Sequence, residues 1–305
     1  MSKKAELIVE GRKLAVSNLD KVLYPKAGFT KGELINYYIQ IAPALLPHLK
    51  DRPLTMKRYP NGVEAEFFYE KNCPSHRPKW VKTATVWSEG NQRNMNYCLA
   101  QDLPTLVWAA NLADIELHPS LSRKSNVARP TMMVFDLDPG APADIVQCCE
   151  VGLWLREILA SFKLKSWAKT SGSKGLQVYV PLNTPVTYDQ TKKLSRALAE
   201  YLEREHSRLV VAKMAKALRK GKIFVDWSQN DEHKTTVCVY SLRAKEQPTA
   251  STPVTWEEVE ETARKKDAKQ LVFRCDQTLA RFKRMGDLFA PVEKMKQKLP
   301  KKWEL

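Results

Sequence analysis

Two aspartates close an apolar run, TMMVFDLDPG, at residues 131–140. In an extended segment alternate side chains share a face, so Asp136 and Asp138 project together while Phe135 and Leu137 point the other way. Two carboxylates so close repel each other unless a cation sits between them. Pro139-Gly140 ends the segment at once and places the pair at a strand rim, where mixed sheets commonly keep active sites. Taken alone, the pattern also fits two solvated acids before a turn. A third acid, Asp226, lies in another apolar segment, IFVDWS, flanked by Val225 and Trp227. An acid there is poorly solvated and needs a partner or a metal. Three carboxylates from two strands suit oxygen coordination of Mg²⁺ or Mn²⁺, and two such ions clamp the attacking and departing oxygens of a phosphoryl transfer. The competing reading is local: Asp226 caps the chain or pairs with a basic neighbour such as Lys222.

Between these acids runs TSGSKGLQ, residues 170–177, a glycine-rich turn offering backbone N–H groups, two hydroxyls and the Lys174 ammonium to a phosphate. It is not a Walker loop, because the G-x-x-x-x-G-K-[ST] spacing is missing. Arg243, in VYSLR, and Arg219 are further candidates for phosphate oxygens. Phe67-Phe68-Tyr69 follows a turn; in a strand one ring is expected inside and its neighbours outside, where rings stack on bases. Lys21 and Lys31 flank YPKAGFT at a helix start, where backbone dipole and ammonium groups can share a phosphate.

The elements that must position these residues are legible in outline. Thr30 and Glu33 form a capping-box pattern, and apolar positions at helical spacing predict a helix from about Lys31 to Leu49. RPLTMKRYP and EFFYEK read as paired strands, 101–111 as a helix, and ADIELHPS as a strand. TMMVFDLDPG is a strand, followed by a helix over about Pro142–Ser161, the strand–turn–strand SWAKTSGSKGLQVYVPL, and a helix over about Tyr188–His206. A basic helix is expected over 211–220, with Lys213, Lys216 and Lys220 on one face, then the strand pair IFVDWSQN and TTVCVYSLR, and a helical end from near Thr255. Strands and helices mix without strict βαβ alternation, so the expected class is α+β (mixed α/β), as modules over 1–125 and 126–305 packed closely together.

Composition narrows the function. The chain has 305 residues and 50 Lys+Arg against 34 Asp+Glu, a formal charge of +16. That excess points to a polyanion. Neither basic stretch, 211–224 or 292–305, has the aromatic-faced amphipathy of a membrane-surface helix, so nucleic acid is favoured. No apolar run is long enough to span a membrane, and the start lacks a signal-peptide centre, which gives an intracellular expectation. Six scattered cysteines without a C-x-x-C pair read as reduced thiols.

Over nearly its whole length the chain resembles the polymerase domain of bacterial DNA ligase D, within the archaeo-eukaryotic primase superfamily. The resemblance rests on SNLDKVLYP, the Lys31 helix start, RPLTMKRYPNGV, ELH, VFDLDPG, TSGSKGL, KIFVDWSQN, KTT and YSLR. It implies a primase-polymerase fold, with a central mixed or antiparallel sheet flanked by helices. It also implies a template-directed nucleotidyltransferase that fills gaps and extends ends in double-strand break repair with NTPs or dNTPs, using two Mn²⁺ (or Mg²⁺) ions. By the resemblance, Asp136, Asp138 and Asp226 are the catalytic, metal-binding acids. Ser171, Lys174, Gln177, Arg243, Arg219 and His118 belong to the nucleotide, and Lys21 and Lys31 to the 5′-phosphate of a downstream strand. Phe68, Tyr69 and Lys57 belong to the DNA, Tyr69 standing for a phenylalanine with its stacking face kept. The implied partners are gapped or broken DNA with a 5′-phosphate, a separate ligase and a Ku-like end-binding protein, in a prokaryotic cytoplasm at the nucleoid.

One position departs from the family: Gln177 stands where a histidine is usual. Glutamine donates a hydrogen bond but carries no charge or transferable proton, so weaker triphosphate binding, or altered metal and pH dependence, is expected. Three rivals remain open at this stage. A D-x-D glycosyltransferase would use the same acids, but needs neither the +16 charge nor the paired lysines. A catalytically weak end-binding or bridging module would not need intact acids. A gap-filling polymerase of excision repair would keep the chemistry and change the task.

Overall fold

The computed structural model describes residues 4–300, so the last five residues of the basic end over 292–305 lie outside the described residues. The chain divides into two compact units. The first runs to Ser125 and adds Thr235–Ser251 and Phe273–Asp287; the second holds Asn126–Lys234, Thr252–Val272 and the residues from Leu288. Where the sequence suggested a continuous module over 126–305, the chain therefore returns twice to the first unit.

In the first unit, the helix Lys31–Leu49 begins where Thr30 accepts from Glu33 N and Glu33 returns a carboxylate to Thr30 N, and it buries Leu34, Ile35, Tyr38, Ile41 and Leu45. It contacts the helix Leu103–Asn111, which is capped by Asp102. Beside them, the strand Leu54–Arg58 pairs antiparallel with Phe68–Glu70, with Arg93–Cys98 and with Asp114–Pro119, and Thr83–Ser88 completes the sheet. The expected strand TTVCVYSLR is instead irregular chain held by bridges Ser120 to Thr235 and Leu242 to Ala250. Its apolar side chains Val237, Val239, Tyr240 and Leu242 are nevertheless buried. Burial produced the apolar pattern there without a ladder.

The second unit is a six-stranded sheet in the order Val210–Val211, Ile223–Asp226, Met132–Pro139, Leu176–Pro181, Trp167–Thr170, Pro253–Val254. Only the first pair is parallel. Helices Ile145–Ser161 and Tyr188–Glu205 contact the Met132–Pro139 strand, and Trp256–Lys265 contacts the first of them. The mixed α+β class expected from the sequence is the one observed. The basic helix over 211–220 is not. It is replaced by a single 3₁₀ turn, Lys216–Leu218, with Met214 and Leu218 exposed. Cations repeated at helical spacing without an acid repel one another, and no core accepts the apolar residues between them. Lys213, Lys216 and Lys220 therefore share no helical face. All six cysteines are buried and lie outside any disulfide.

Candidate functional site

The register of the second unit's sheet sets a row of polar side chains across four strands. Asp136 lies opposite Asp226 on one side and Gln177 on the other, and Gln177 lies opposite Lys169. Directly opposed residues share a sheet face, so Asp226, Asp136, Gln177 and Lys169 line up, with Asp138 one step along the same face. Phe135 and Leu137 are fully buried on the other.

Gln177 links Lys169 to Asp136. Its side-chain oxygen accepts from the Lys169 ammonium, which leaves the amide nitrogen to donate to Asp136. Burial, followed by the charges of Asp138 and Asp226, pushes the Asp136 carboxyl up to about 7 despite that bond. Its Oδ1 accepts no hydrogen bond from any described residue. Asp226 behaves differently. Its Oδ1 accepts from Ser228 N at 2.9 Å and from Ser228 Oγ, and its Oδ2 from Gln229 Nε2 at 2.8 Å. It caps the 3₁₀ turn Trp227–Gln229, as the local reading held, although Lys222 turns away to the Ser207 carbonyl. Among the described residues, no group of three His, Cys, Asp or Glu side chains is disposed to hold a metal ion. The chemistry of the donor set still fits a cation: a carboxylate with a buried, unpartnered Oδ1 and a raised pKa, beside two further acids, favours positive charge.

Backbone approach at the rim of the row explains two glycines. A Cβ on Gly175 would lie 2.2 Å from the Leu137 carbonyl oxygen, and one on Gly140 1.8 Å from that of Arg219. Within the 170–177 turn, the Ser171 hydroxyl accepts from the N–H groups of Ser173 and Gly175 at 3.2 and 3.1 Å, so its oxygen helps to shape the loop. Lys174 is exposed at the tip. Arg219 stacks its guanidinium 3.8 Å from the Phe224 ring and donates to the Met214 carbonyl at 2.6 Å.

The first unit gathers a second group. Lys57 lies opposite Tyr69 on one side and Glu116 on the other. The Glu116 side chain is 2% exposed and meets His118 Nε2 at 3.0 Å, Lys57 Nζ at 3.5 Å and Arg243 Nε at 3.3 Å. It also accepts from Ala244 N at 3.0 Å. Burial alone would raise its carboxyl; the His118 bond and the charges of Arg243, His118 and Lys57 outweigh it and hold the group far below the usual range. Burial lowers both His118 and Lys57, against the opposing pull of Glu116. The Lys57 ammonium lies 4.2 Å from the Phe67 ring centre and 5.4 Å from that of Tyr69.

The aromatic triplet corrects an expectation. Phe67, Phe68 and Tyr69 are 48%, 44% and 55% exposed, with none buried. Phe68–Glu70 is a three-residue edge strand, and its alternation only separates partners: Phe67 and Tyr69 face Lys57, and Phe68 faces Arg58 at 5.0 Å. A third cluster forms at the start of the Lys31–Leu49 helix. Lys31 N donates to the Lys21 carbonyl at 2.8 Å, and Lys21 Nζ to Asn61 Oδ1 at 3.0 Å. Lys31 is buried, and desolvation, with Lys21 and Arg58 nearby, lowers its ammonium to about 8.

Sequence reasoning missed Glu116, Lys169 and Arg58. Glu116 carried the same signal as Asp226, an acid between apolar neighbours in a strand. Lys169 and Arg58 carried none, since their roles depend on which strands lie beside them.

The pattern of the LigD primase-polymerase domain matches residues 30–289. The chain belongs to this family. It is 39% identical over 283 residues to the multifunctional non-homologous end joining protein LigD of Mycolicibacterium smegmatis, covering 92% of this chain and 36% of the relative. To the bifunctional non-homologous end joining protein LigD of Bacillus subtilis it is 33% identical over 276 residues, 90% of this chain and 43% of the relative. The chain thus spans less than half the length of these LigD proteins. Among solved structures, the polymerase domain of Mycobacterium tuberculosis ligase D in complex with DNA matches with a TM-score of 0.86 and 38% identity, covering 92% of this chain and 98% of that one. Among the described residues no helix is long and apolar enough to cross a membrane.

Proposed function

We propose that this LigD-family chain is a template-directed nucleotidyltransferase of double-strand break repair, adding NTPs or dNTPs at gaps and broken ends. The carboxylate row carries the reading. Asp136, with its unpartnered buried Oδ1 and raised pKa, and Asp138 beside it form the half of the site that would hold divalent cations. Asp226 would join them on giving up its Ser228 and Gln229 bonds. Bound there, Mn²⁺ or Mg²⁺, two ions in the full reading, supplies Lewis-acid stabilisation of charge on the transferring phosphate.

The chain's own side chains do the rest. Gln177, held by Lys169, keeps a donor on Asp136 and fixes its carboxylate. Lys174 and Arg219 offer cations to the triphosphate, while the Ser171 hydroxyl maintains the loop that presents Lys174. His118 and Arg243 are assigned to the nucleotide, Lys57, Phe68 and Tyr69 to DNA, and Lys21 and Lys31 to a 5′-phosphate. Phosphate contacts and stacking position strands without reading sequence, which suits an enzyme that takes its instruction from the template. Broken or gapped DNA is the partner in this reading, with a ligase activity and a Ku-like end-binder completing the repair. The DNA bound to the similar mycobacterial domain and the end-joining relatives support that assignment.

Extension of a gapped duplex in Mn²⁺, with NTPs or dNTPs and with or without a downstream 5′-phosphate, tests it. Templated addition strengthened by the phosphate is expected. No addition with any nucleotide or metal would leave a DNA-binding module and overturn the reading.

A further inference from the structure

Three basic side chains, from two strands of the first unit and its returning segment, converge on one buried acid. Lys57 faces Glu116 directly across the ladder, His118 lies two residues further along the same face of the Glu116 strand, and Arg243 reaches in beside Ala244, whose N–H also ends on the carboxylate. Without the acid these groups would repel in a half-dry setting. An ionised carboxylate only accepts hydrogen bonds, so the contact to His118 requires the proton on Nε2 and leaves Nδ1 as a lone-pair acceptor in the neutral ring. Tyr59 and Tyr69 are the other titratable groups around Lys57 and Glu116; neither supplies a charge of the opposite sign at neutral pH.

We propose that Glu116 is a positioning residue, whose carboxylate holds His118 in the Nε2–H tautomer and fixes Lys57 and Arg243 beside it. The cluster then presents two anchored cations and one neutral acceptor, which suits a ligand carrying both phosphate and hydroxyl groups. This deepens the nucleotide reading and rests on it. Glu116 contributes through its neighbours; its own charge, acting at a distance, would only repel a triphosphate. The two routes differ in sign, because neutralising a remote acid tightens anion binding, whereas releasing the three basic groups weakens it.

The test uses Glu116→Gln in the full chain, with ATP titrated calorimetrically in the presence of Mn²⁺ and ring-¹⁵N spectra of His118 recorded in both proteins. Expected are a pure Nε2–H tautomer in the parent chain, its loss or mixing in the variant, and ATP affinity weakened by about ten- to a hundredfold, the scale of charge-assisted hydrogen bonds. In an Arg243→Ala background the same substitution should cost much less, because the two residues act as a unit. Tighter or unchanged ATP binding by E116Q, or fully additive costs, would overturn the proposal. Should E116Q fail to fold, the parent spectrum still decides: an Nδ1–H or doubly protonated His118 at pH 7 contradicts the assignment. The tautomer is measured without any polymerisation, so a chain that never extends a primer still tests this claim.

Discussion

The two polar clusters are built alike and charged in opposite senses. In the second unit three acids gather, and cations reach them only by relay: Lys169 reaches Asp136 through the Gln177 amide, and Lys234 reaches Asp226 through the Ser228 hydroxyl. In the first unit three basic groups gather around one acid, Glu116, and touch it directly. Both use antiparallel register to bring side chains together, and each has a buried centre, Gln177 and Lys169 in one and Glu116 in the other, with half-buried groups around it. In the acidic row, burial and then the charges of Asp138 and Asp226 leave Asp136 with a raised pKa, and its Oδ1 accepts no hydrogen bond from a described residue. In the basic cluster the His118 bond and the charges of Arg243, His118 and Lys57 outweigh burial, so Glu116 stays ionised. On the proposed function, the first arrangement suits an incoming cation, and the second, held together by its own counter-ion, suits keeping its shape while a ligand comes and goes.

The sharpest way to break this contrast is Asp138→Asn. If the acidic row is the chemical centre, primer extension falls by about a thousandfold or more, the scale of several kcal/mol of transition-state stabilisation, while binding to gapped duplex is unchanged. Near-normal extension would move the chemistry elsewhere.

Lys169→Met probes the indirect link. Removing the ammonium strips Gln177 of the partner that orients its amide, and an unsatisfied buried acceptor costs about 2 kcal/mol of stability in denaturant unfolding. A variant as stable as the parent chain would show that the buried charge was only a desolvation burden.

The Lys21–Lys31 cluster gives the smallest and most graded effect. With its ammonium lowered to about 8, Lys31 is a cation below that pH and loses its charge above it. A bound phosphate favours the charged form and moves the midpoint upward. The gain in extension from a downstream 5′-phosphate should therefore be present at pH 7 and fade by about tenfold toward alkaline pH, in line with the loss of one charged contact. Lys31→Arg should flatten that profile. A gain that keeps the same pH dependence in Lys31→Arg would exclude Lys31 as its source.

Much of the site was readable because it depends on local pattern. Asp136 and Asp138 share a face by strand alternation alone, and the Thr30–Glu33 box fixes a helix start within four residues. The glycine at 140 follows from a turn, although its need, the Arg219 carbonyl 1.8 Å from any Cβ, is tertiary. The 211–220 segment misled because apolar and basic residues at helical spacing resemble an amphipathic helix until one asks what receives the apolar side. The 237–242 segment misled in the opposite way: it is buried as densely as a strand, yet its hydrogen bonds go elsewhere.

The sequence by itself determined the charge, the class of fold, the family and the acids of the D-x-D strand, because each is written in composition or in neighbours a few residues apart. Only the tertiary structure decided that Asp226 stands opposite Asp136, that Lys169 governs Gln177, and that Glu116 gathers Lys57 and Arg243 beside His118. Those pairings, Lys169 with Gln177, Asp136 with Asp226, and Glu116 with Lys57 and Arg243, are cross-strand register and chain return between residues 8 to 127 positions apart. No local periodicity encodes which strand lies beside which; burial of the whole sheet selects it.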